Sequence, residues 1–313
     1  MSAPALRIAT RGSALARWQA DHVAALLGAG DSGQPAELVI VDTLADRDQS
    51  RPIWELAGQG VFVKEVQAAV LDGRADLAVH SAKDLPSAPS LAVPELVMAA
   101  VPERGDPRDA LVGRPLAELV PGAVVATGSA RRRAQLADLR PDLTFTGLRG
   151  NIATRLARAS EVGAVVVAAA ALERLGRQDE AAEILAPGTM VPQVGQGAMA
   201  VECRRDDQAT RALLGGIDHG PTRRAVEAER GFLAQLGGGC ELPVGAYAEP
   251  AGAGRLRLRA VLASLDGRVV LRDEVGIAPA ADAAAEGAAL AARLLGAGGG
   301  RSLLADLGAL SLA

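Results

Sequence analysis

Leu6-Arg7-Ile8-Ala9-Thr10-Arg11-Gly12-Ser13 decides the fold class. Leu6–Ala9 reads as a short strand. Thr10 to Ser13 turns the chain, and from Ala14 to Leu27 the apolar residues recur at helical spacing. Ser13 is the expected N-cap, because a hydroxyl there accepts a first-turn backbone N–H. The same strand–turn–helix grammar continues outward. Glu37–Val41 is a second strand, 61–71 a helix, and Ala75–Val79 a buried strand that runs into His80-Ser81-Ala82-Lys83-Asp84-Leu85-Pro86. Leu96–Val101 is extended. A second β/α section lies within 100–195: strand Val124–Ala126, a helix opened by Thr127-Gly128-Ser129 and ending near Leu139, strand Thr144–Gly147, a helix from Asn151 to Ala159, and buried strand Val165–Ala168. The last hundred residues read as small α+β. They hold a helix over Thr222–Leu236, the turn Gly237-Gly238-Gly239-Cys240, strands Arg255–Ala263 and Arg268–Glu274 joined through Asp266-Gly267, and a helix over Ala280–Leu295.

The chain has 313 residues, enough for two or three domains. With 49% hydrophobic and 22% charged residues it is an ordinary globular composition. Only 2% of residues are aromatic, so the cores are built from Ala, Val and Leu, and a stacking surface for single-stranded nucleic acid is disfavoured. A net charge of −4 also argues against diffuse attraction to nucleic acid or an anionic membrane. Lys64 and Lys83 are the only lysines, and arginine supplies the other basic residues. Arginine forks match carboxylates in a bidentate way that lysine cannot. Cys203 and Cys240 are too few for a disulfide framework and fit no zinc spacing, so no metal is expected. No signal peptide is visible, and no apolar run approaches the ~20 residues of a bilayer span. The expected location is the cytoplasm.

In α/β sheets, ligands gather at the carboxyl ends of strands, where helix N-termini offer backbone N–H groups. Three such junctions pair hydroxyl or amide groups with arginine: Arg11 with Ser13; Thr127 and Ser129 with Arg131 and Arg132; and Arg149 with Asn151, Thr154 and Arg155. One reading is a cleft for a polyanion. The other is that Ser13 and Ser129 are simple caps and the arginines are solvated. The residues alone leave both open. Successive helical residues diverge, so Arg131 and Arg132 are expected to face the cleft and Arg133 solvent. Asp84, beside Lys83, has the chemistry of an acid, a base or a cation stabiliser, against the bland alternative of a surface ion pair. His80 reads as a structural hydrogen-bond partner. Cys240 follows three glycines at an exposed-looking turn and suits a covalent attachment point, whereas Cys203 reads as a small core residue.

Taken together and in order, Arg7–Ser13, Val63-Lys64-Glu65, Ala78–Pro86, Asp106-Pro107-Arg108-Asp109-Ala110, Leu148-Arg149-Gly150-Asn151, Gln196-Gly197-Ala198 and Gly238-Gly239-Cys240 resemble the hydroxymethylbilane synthase (porphobilinogen deaminase) family. The resemblance covers about residues 6 to 250. It implies an α/β fold of two periplasmic-binding-protein-like lobes, each a mixed sheet with helices on both faces, plus a small α+β C-terminal domain. The implied divisions are 1–98 with 198–216, 101–195, and 220–313. It implies a transferase that deaminates and polymerises four porphobilinogen molecules on a covalently bound dipyrromethane primer and releases a linear tetrapyrrole. Its partner would be that small-molecule substrate, with no nucleic acid or membrane, and the protein would be a monomer. By resemblance, Cys240 carries the dipyrromethane through a thioether and Asp84 is the catalytic carboxylate. Ser81, Lys83, Asp84, Thr127, Ser129, Arg131, Arg132, Arg149 and Arg155 would hold the cofactor. Arg11, Ser13, Gln19, Arg149, Arg155 and Arg174 would bind substrate, with Asp46 a neighbour.

The chain departs from the family pattern at three positions. Gln59 and Glu55 stand where lysines are common, which removes positive charge from a loop over the cleft, though Arg47 or Arg51 would compensate. Gly128 replaces a frequent serine. Two rival readings remain at this stage. A non-enzymatic anion-binding protein of the same two-lobed fold would usually need export, and no signal is visible. An RNA-binding protein is disfavoured by ring content and net charge.

Overall fold

The computed structural model describes residues 4–30, 33–43, 63–237, 242–297 and 299–306. The opening stretch forms β1 (Leu6–Arg11) and α1 (Ala14–Ala29), with the Ser13 hydroxyl accepting from the Ala16 N–H at 3.3 Å. β2 (Ala36–Val41), α2 (Lys64–Leu71), β3 (Leu77–Ser81), a 3-10 turn over Ala82–Asp84 and β4 (Leu96–Ala100) follow. β3 starts later than the sequence suggests. The Ala75 N–H closes the turn after α2 by donating to Ala69, so pairing begins only at Leu77. The chain then forms β5 (Asp109–Gly113), β6 (Val124–Ala126), α3 (Ala130–Leu139), β7 (Thr144–Thr146), α4 (Ile152–Ala157), β8 (Ala164–Ala168), α5 (Ala169–Arg174) and β9 (Ala181–Leu185). It returns through β10 (Met199–Arg204) and α6 (Gln208–Gly215). The last elements are α7 (Gly220–Leu236), β11 (Val244–Pro250), β12 (Leu256–Ala263), β13 (Val270–Ile277), α8 (Ala283–Ala297) and α9 (Gly300–Asp306).

The chain separates into two compact units. The first takes the N-terminal segment to Pro86, Ser90–Gly105 and Ala198–Arg223. The second takes Ser87–Pro89, Asp106–Gly197 and everything from Arg224. The first unit holds the sheet β2-β1-β3-β10-β4, in which β10 runs antiparallel to both neighbours while β1, β2 and β3 are parallel. Strand alternation splits its core. Leu6, Ile8, Leu77, Val79 and Val201 pack with Ala20, Val23 and Leu27 of α1 on one face. Ala9, Ala78 and Leu96 pack with Val66, Ala69 and Val70 of α2 on the other.

The second unit holds the sheet β7-β6-β8-β5-β9, again with one antiparallel strand, β5, between two neighbours. Ala110, Val112, Ala126, Val165 and Val167 pack with Leu156 and Leu172 on one face. Leu111, Val125, Ala164 and Val166 pack with Leu136 of α3 on the other. The expectation of two mixed sheets with helices on both faces, plus a small α+β element, is what the chain forms. The small element is the antiparallel sheet β11-β12-β13, whose core with α7 and α8 centres on Phe232, Leu258, Leu262 and Leu290. It belongs to the second compact unit. Among the described residues no helix is long and apolar enough to cross a membrane.

Candidate functional site

Parallel neighbours end on the same edge of a sheet, and that rule gathers the predicted residues within each unit. In the first unit, β1 delivers Arg11 and Ser13, and the adjacent parallel β3 delivers Ser81, Lys83 and Asp84. Gln19, buried on α1, ties the two junctions by donating to the Ser81 hydroxyl at 2.8 Å. The Asp84 turn is pinned at its first residue, where the Ala82 N–H donates to the Ala198 carbonyl at 3.0 Å. Asp84 itself is half-buried. Behind this turn His80 Nε2 lies 3.1 Å from Glu202 Oε2, and Gln67 of α2 donates to the same oxygen at 2.9 Å.

In the second unit, β6, β7 and β8 are parallel neighbours, so Thr127 and Ser129, Arg149, and Arg174 of the following helix leave from one edge. Ser129 and Asn151 both cap: they accept from the Arg132 N–H at 3.4 Å and the Thr154 N–H at 3.0 Å. Thr127 is buried, and its hydroxyl accepts from the Ser129 N–H at 3.2 Å. Arg155 donates Nε to the Gly150 carbonyl at 2.9 Å and is half-buried. Arg174 is buried and donates to the Gly197 carbonyl at 2.6 Å. Burial lowers its guanidinium to about 10, still charged at neutral pH.

Of the arginine triple Arg133 is exposed, as expected, and Arg131 and Arg132 are buried and share one carboxylate. That carboxylate is Asp109, at the first position of β5 and fully buried. Its Oδ2 accepts from Arg131 Nη1 at 2.8 Å, and its Oδ1 accepts from Arg132 Nε at 2.9 Å. Gln196 donates to the same Oδ1 at 2.9 Å. β5 runs antiparallel to β8 with Asp109 opposite Ala168, and this brings a strand start to the edge where β6 and β8 end. Burial alone would raise the Asp109 pKa. The two guanidiniums outweigh it and hold the carboxyl well below the usual range.

Arg131 keeps a second feature. Its Nε and Nη2 are buried and have no hydrogen-bond partner among the described residues. Arg131 lines a small pocket with Ser129, Gln193, Val194, Leu233, Leu242 and Val244. The stem of Arg131 passes Gly245, where a Cβ would come within 2.9 Å of Arg131 Cδ and 2.6 Å of the Pro192 carbonyl oxygen. Sequence reading quoted Asp109 and Gln196 without giving them a role, and it missed Gly245. The available signal was a carboxylate set directly before the apolar run Ala110-Leu111-Val112. Cys240, Asp46, Arg47, Arg51, Glu55 and Gln59 lie outside the described residues.

Two family models match this chain. One described as "Porphobilinogen deaminase, dipyromethane cofactor binding domain" matches residues 6–212, and one described as "Porphobilinogen deaminase, C-terminal domain" matches residues 223–296. A porphobilinogen deaminase of Acidothermus cellulolyticus is 48% identical over 96% of this chain and 91% of its own length. One of Nitratidesulfovibrio vulgaris is 44% identical over 95% of this chain and 96% of its own length. One of Thermobifida fusca is 47% identical over 88% of this chain and 86% of its own length.

Proposed function

The chain belongs to the porphobilinogen deaminase family, and on that premise we propose how its own residues divide the work of joining porphobilinogen units on a dipyrromethane cofactor. The enzyme is a hydroxymethylbilane synthase, a transferase of tetrapyrrole biosynthesis. When bound, dipyrromethane supplies a primer whose terminal pyrrole carbon is the nucleophile. Every pyrrole of primer and substrate bears an acetate and a propionate, so the residues that meet them must neutralise carboxylates.

The observation that carries the assignment is that two buried nitrogens of Arg131, Nε and Nη2, have no hydrogen-bond partner among the described residues. They line a pocket that also contains Ser129 and Leu242, and Leu242 stands two residues after Cys240. A carboxylate borne on a primer attached at Cys240 fits donors of that kind, since Arg–carboxylate pairs are bidentate and strong. Cys240 is the covalent anchor in this reading. In the second unit, Thr127, Ser129, Arg131, Arg132, Arg149 and Arg155 are the residues assigned to the cofactor. In the first unit they are Ser81, Lys83 and Asp84. Arg11, Ser13, Gln19, Arg149, Arg155 and Arg174 serve the incoming substrate; Gln19 does so through Ser81.

Asp84 is the proposed catalytic residue. In each condensation the C–N bond of the substrate aminomethyl group breaks and ammonia leaves with the electron pair. The methylene carbon left behind is electron-poor, and a carboxylate beside it balances the charge. Asp84 also accepts hydrogen bonds from pyrrole N–H groups, and it takes the proton displaced when the new C–C bond forms. Lys83, its neighbour in the turn, pairs with substrate carboxylates.

Three separate sheets, each with its own core, and the gap between the two family matches at 212 and 223 support a division into 1–98 with 198–216, 101–195, and 220–313. A monomer acting in the cytoplasm is the accompanying proposal.

Intact mass of the purified full chain tests the anchor. The expected mass exceeds the polypeptide by one dipyrromethane, and Cys240→Ser removes the increment. Asp84→Ala should keep the fold and lose turnover by roughly 10²–10⁴-fold. Near-normal turnover in Asp84→Ala, or an increment that survives Cys240→Ser, refutes the assignment.

A further inference from the structure

We propose that Asp109 is a positioning residue for the primer: backed by Gln196, it orients Arg131 so that Nε and Nη2 meet a primer carboxylate. The inference rests on the reading above that Arg131 meets the primer. The two arginines look equivalent in sequence, and their contacts are not.

Each guanidinium nitrogen of Arg132 has a partner. Its Nε donates to Asp109 Oδ1 at 2.9 Å and its Nη1 to the Val166 carbonyl at 3.0 Å, and its Nη2 lies 2.8 Å from the same Asp109 oxygen. Arg131 is engaged on one side only. Its Nη1 donates to Asp109 Oδ2 at 2.8 Å and to the Val191 carbonyl at 2.6 Å. The opposite edge, Nε and Nη2, is buried without a partner among the described residues. A planar guanidinium fixed at one nitrogen by a carboxylate and a carbonyl cannot swing its other edge away.

The charges point the same way. Among the described residues two buried guanidiniums face one buried carboxylate, so the cluster is one anion short. Buried cations are tolerated when they are paired, and unsatisfied buried donors are costly. A carboxylate in the pocket of Ser129, Leu242 and Val244 supplies both the missing charge and the missing acceptors.

Asp109 is itself fixed from behind. Gln196 donates Nε2 to Asp109 Oδ1 at 2.9 Å and to the Pro107 carbonyl at 2.7 Å. Gln196 is fully buried, and its Oε1 also accepts from Arg132 Nη2 at 3.4 Å.

The test uses the full chain and reads the ratio of primer-loaded to unloaded protein by intact mass, in the folded fraction from size exclusion. Asp109→Asn keeps the shape but turns an N–H toward Arg131, and should lower that ratio by about tenfold. In combination with Arg131→Leu it should add nothing to the loss seen in Arg131→Leu alone, because both act through one guanidinium. If Asp109→Asn is not recovered folded, Gln196→Leu reads the same coupling without changing charge; it should lower the ratio in wild type and leave it unchanged on the Arg131→Leu background. A wild-type ratio in the folded Asp109→Asn or Gln196→Leu protein overturns the proposal, as do independent, multiplying losses in the double variant. A wild-type chain without any mass increment would instead refute the primer reading itself, and this proposal with it.

Discussion

At Gly245 the chain has no room for even one methyl group. A Cβ there would meet the Pro192 carbonyl oxygen at 2.6 Å, the Val191 carbonyl oxygen at 2.9 Å and Arg131 Cδ at 2.9 Å. The glycine lets β11 pass close to the segment that holds Arg131. Gly245→Ala should therefore destabilise by about 1–3 kcal/mol through overpacking, and it should reduce primer loading because the Arg131 stem must move. Urea midpoints give the first effect and intact mass the second; a stable, fully loaded Gly245→Ala would show that the stem has slack. Gly128 follows the same logic: a Cβ would come within 2.6 Å of the Leu148 carbonyl oxygen. A serine placed here would therefore force the Leu148 backbone of this chain to shift.

Elements carry the site by their ends rather than their middles. α4 is one such element, a short helix over Ile152–Ala157 that bears Arg155 and packs little more than Leu156 into the core. Its start depends on Asn151, whose Oδ1 accepts from both the Thr154 N–H at 3.0 Å and the Thr154 hydroxyl at 3.2 Å. Asn151→Ala should cost about 1 kcal/mol of stability and loosen the Arg149–Arg155 turn. The measurable result is a lower urea midpoint with a raised KM for porphobilinogen; an unchanged midpoint would mean that Leu156 packing alone holds the turn. At this scale the sequence was readable where the pattern had contrast. Leu6 and Ile8 against Ala9 mark a two-faced strand, and Ser13 marks a cap. β5, β9, β10, β11, α5, α6 and α9 were not foreseen from the residues, because such short segments show little periodic contrast and take their shape from the neighbours they pack with.

Over the whole molecule the two five-stranded sheets repeat one plan. Each places its antiparallel crossing strand, β10 or β5, next to the third strand of a parallel trio. In the second sheet that plan puts a carboxylate, Asp109, among the cations of the opposite strand ends, and this shapes acid stability. Asp109 is held below the ordinary value of 3.8, as are Asp76 beside Arg7 and Asp207 at the start of α6. A depressed folded pKa stabilises fully above the unfolded value, and the contribution is lost as pH falls through the folded one. Urea midpoints measured from about pH 6 to about pH 3 should therefore stay level and then drop at the acid end. Asp109→Asn should start lower and drop less. Added salt should change little of the Asp109 share, since buried pairs are weakly screened. An acid limb unaltered by Asp109→Asn would place the proton-linked stability elsewhere.

The residues by themselves determined that this is an α/β chain with a small α+β end, which junctions hold hydroxyls and arginines, and, through an ordered set of motifs, the family. Strand alternation, cap chemistry and motif order are local properties, and a linear string preserves them. Only the folded chain decided that Arg131 and Arg132 have different partners, that Asp109 from a distant strand stands between them, and that Gln196 and Gly245 hold the arrangement. Those relations depend on which strand lies beside which and in what direction, and strand order is set by packing of the whole sheet rather than by any one segment.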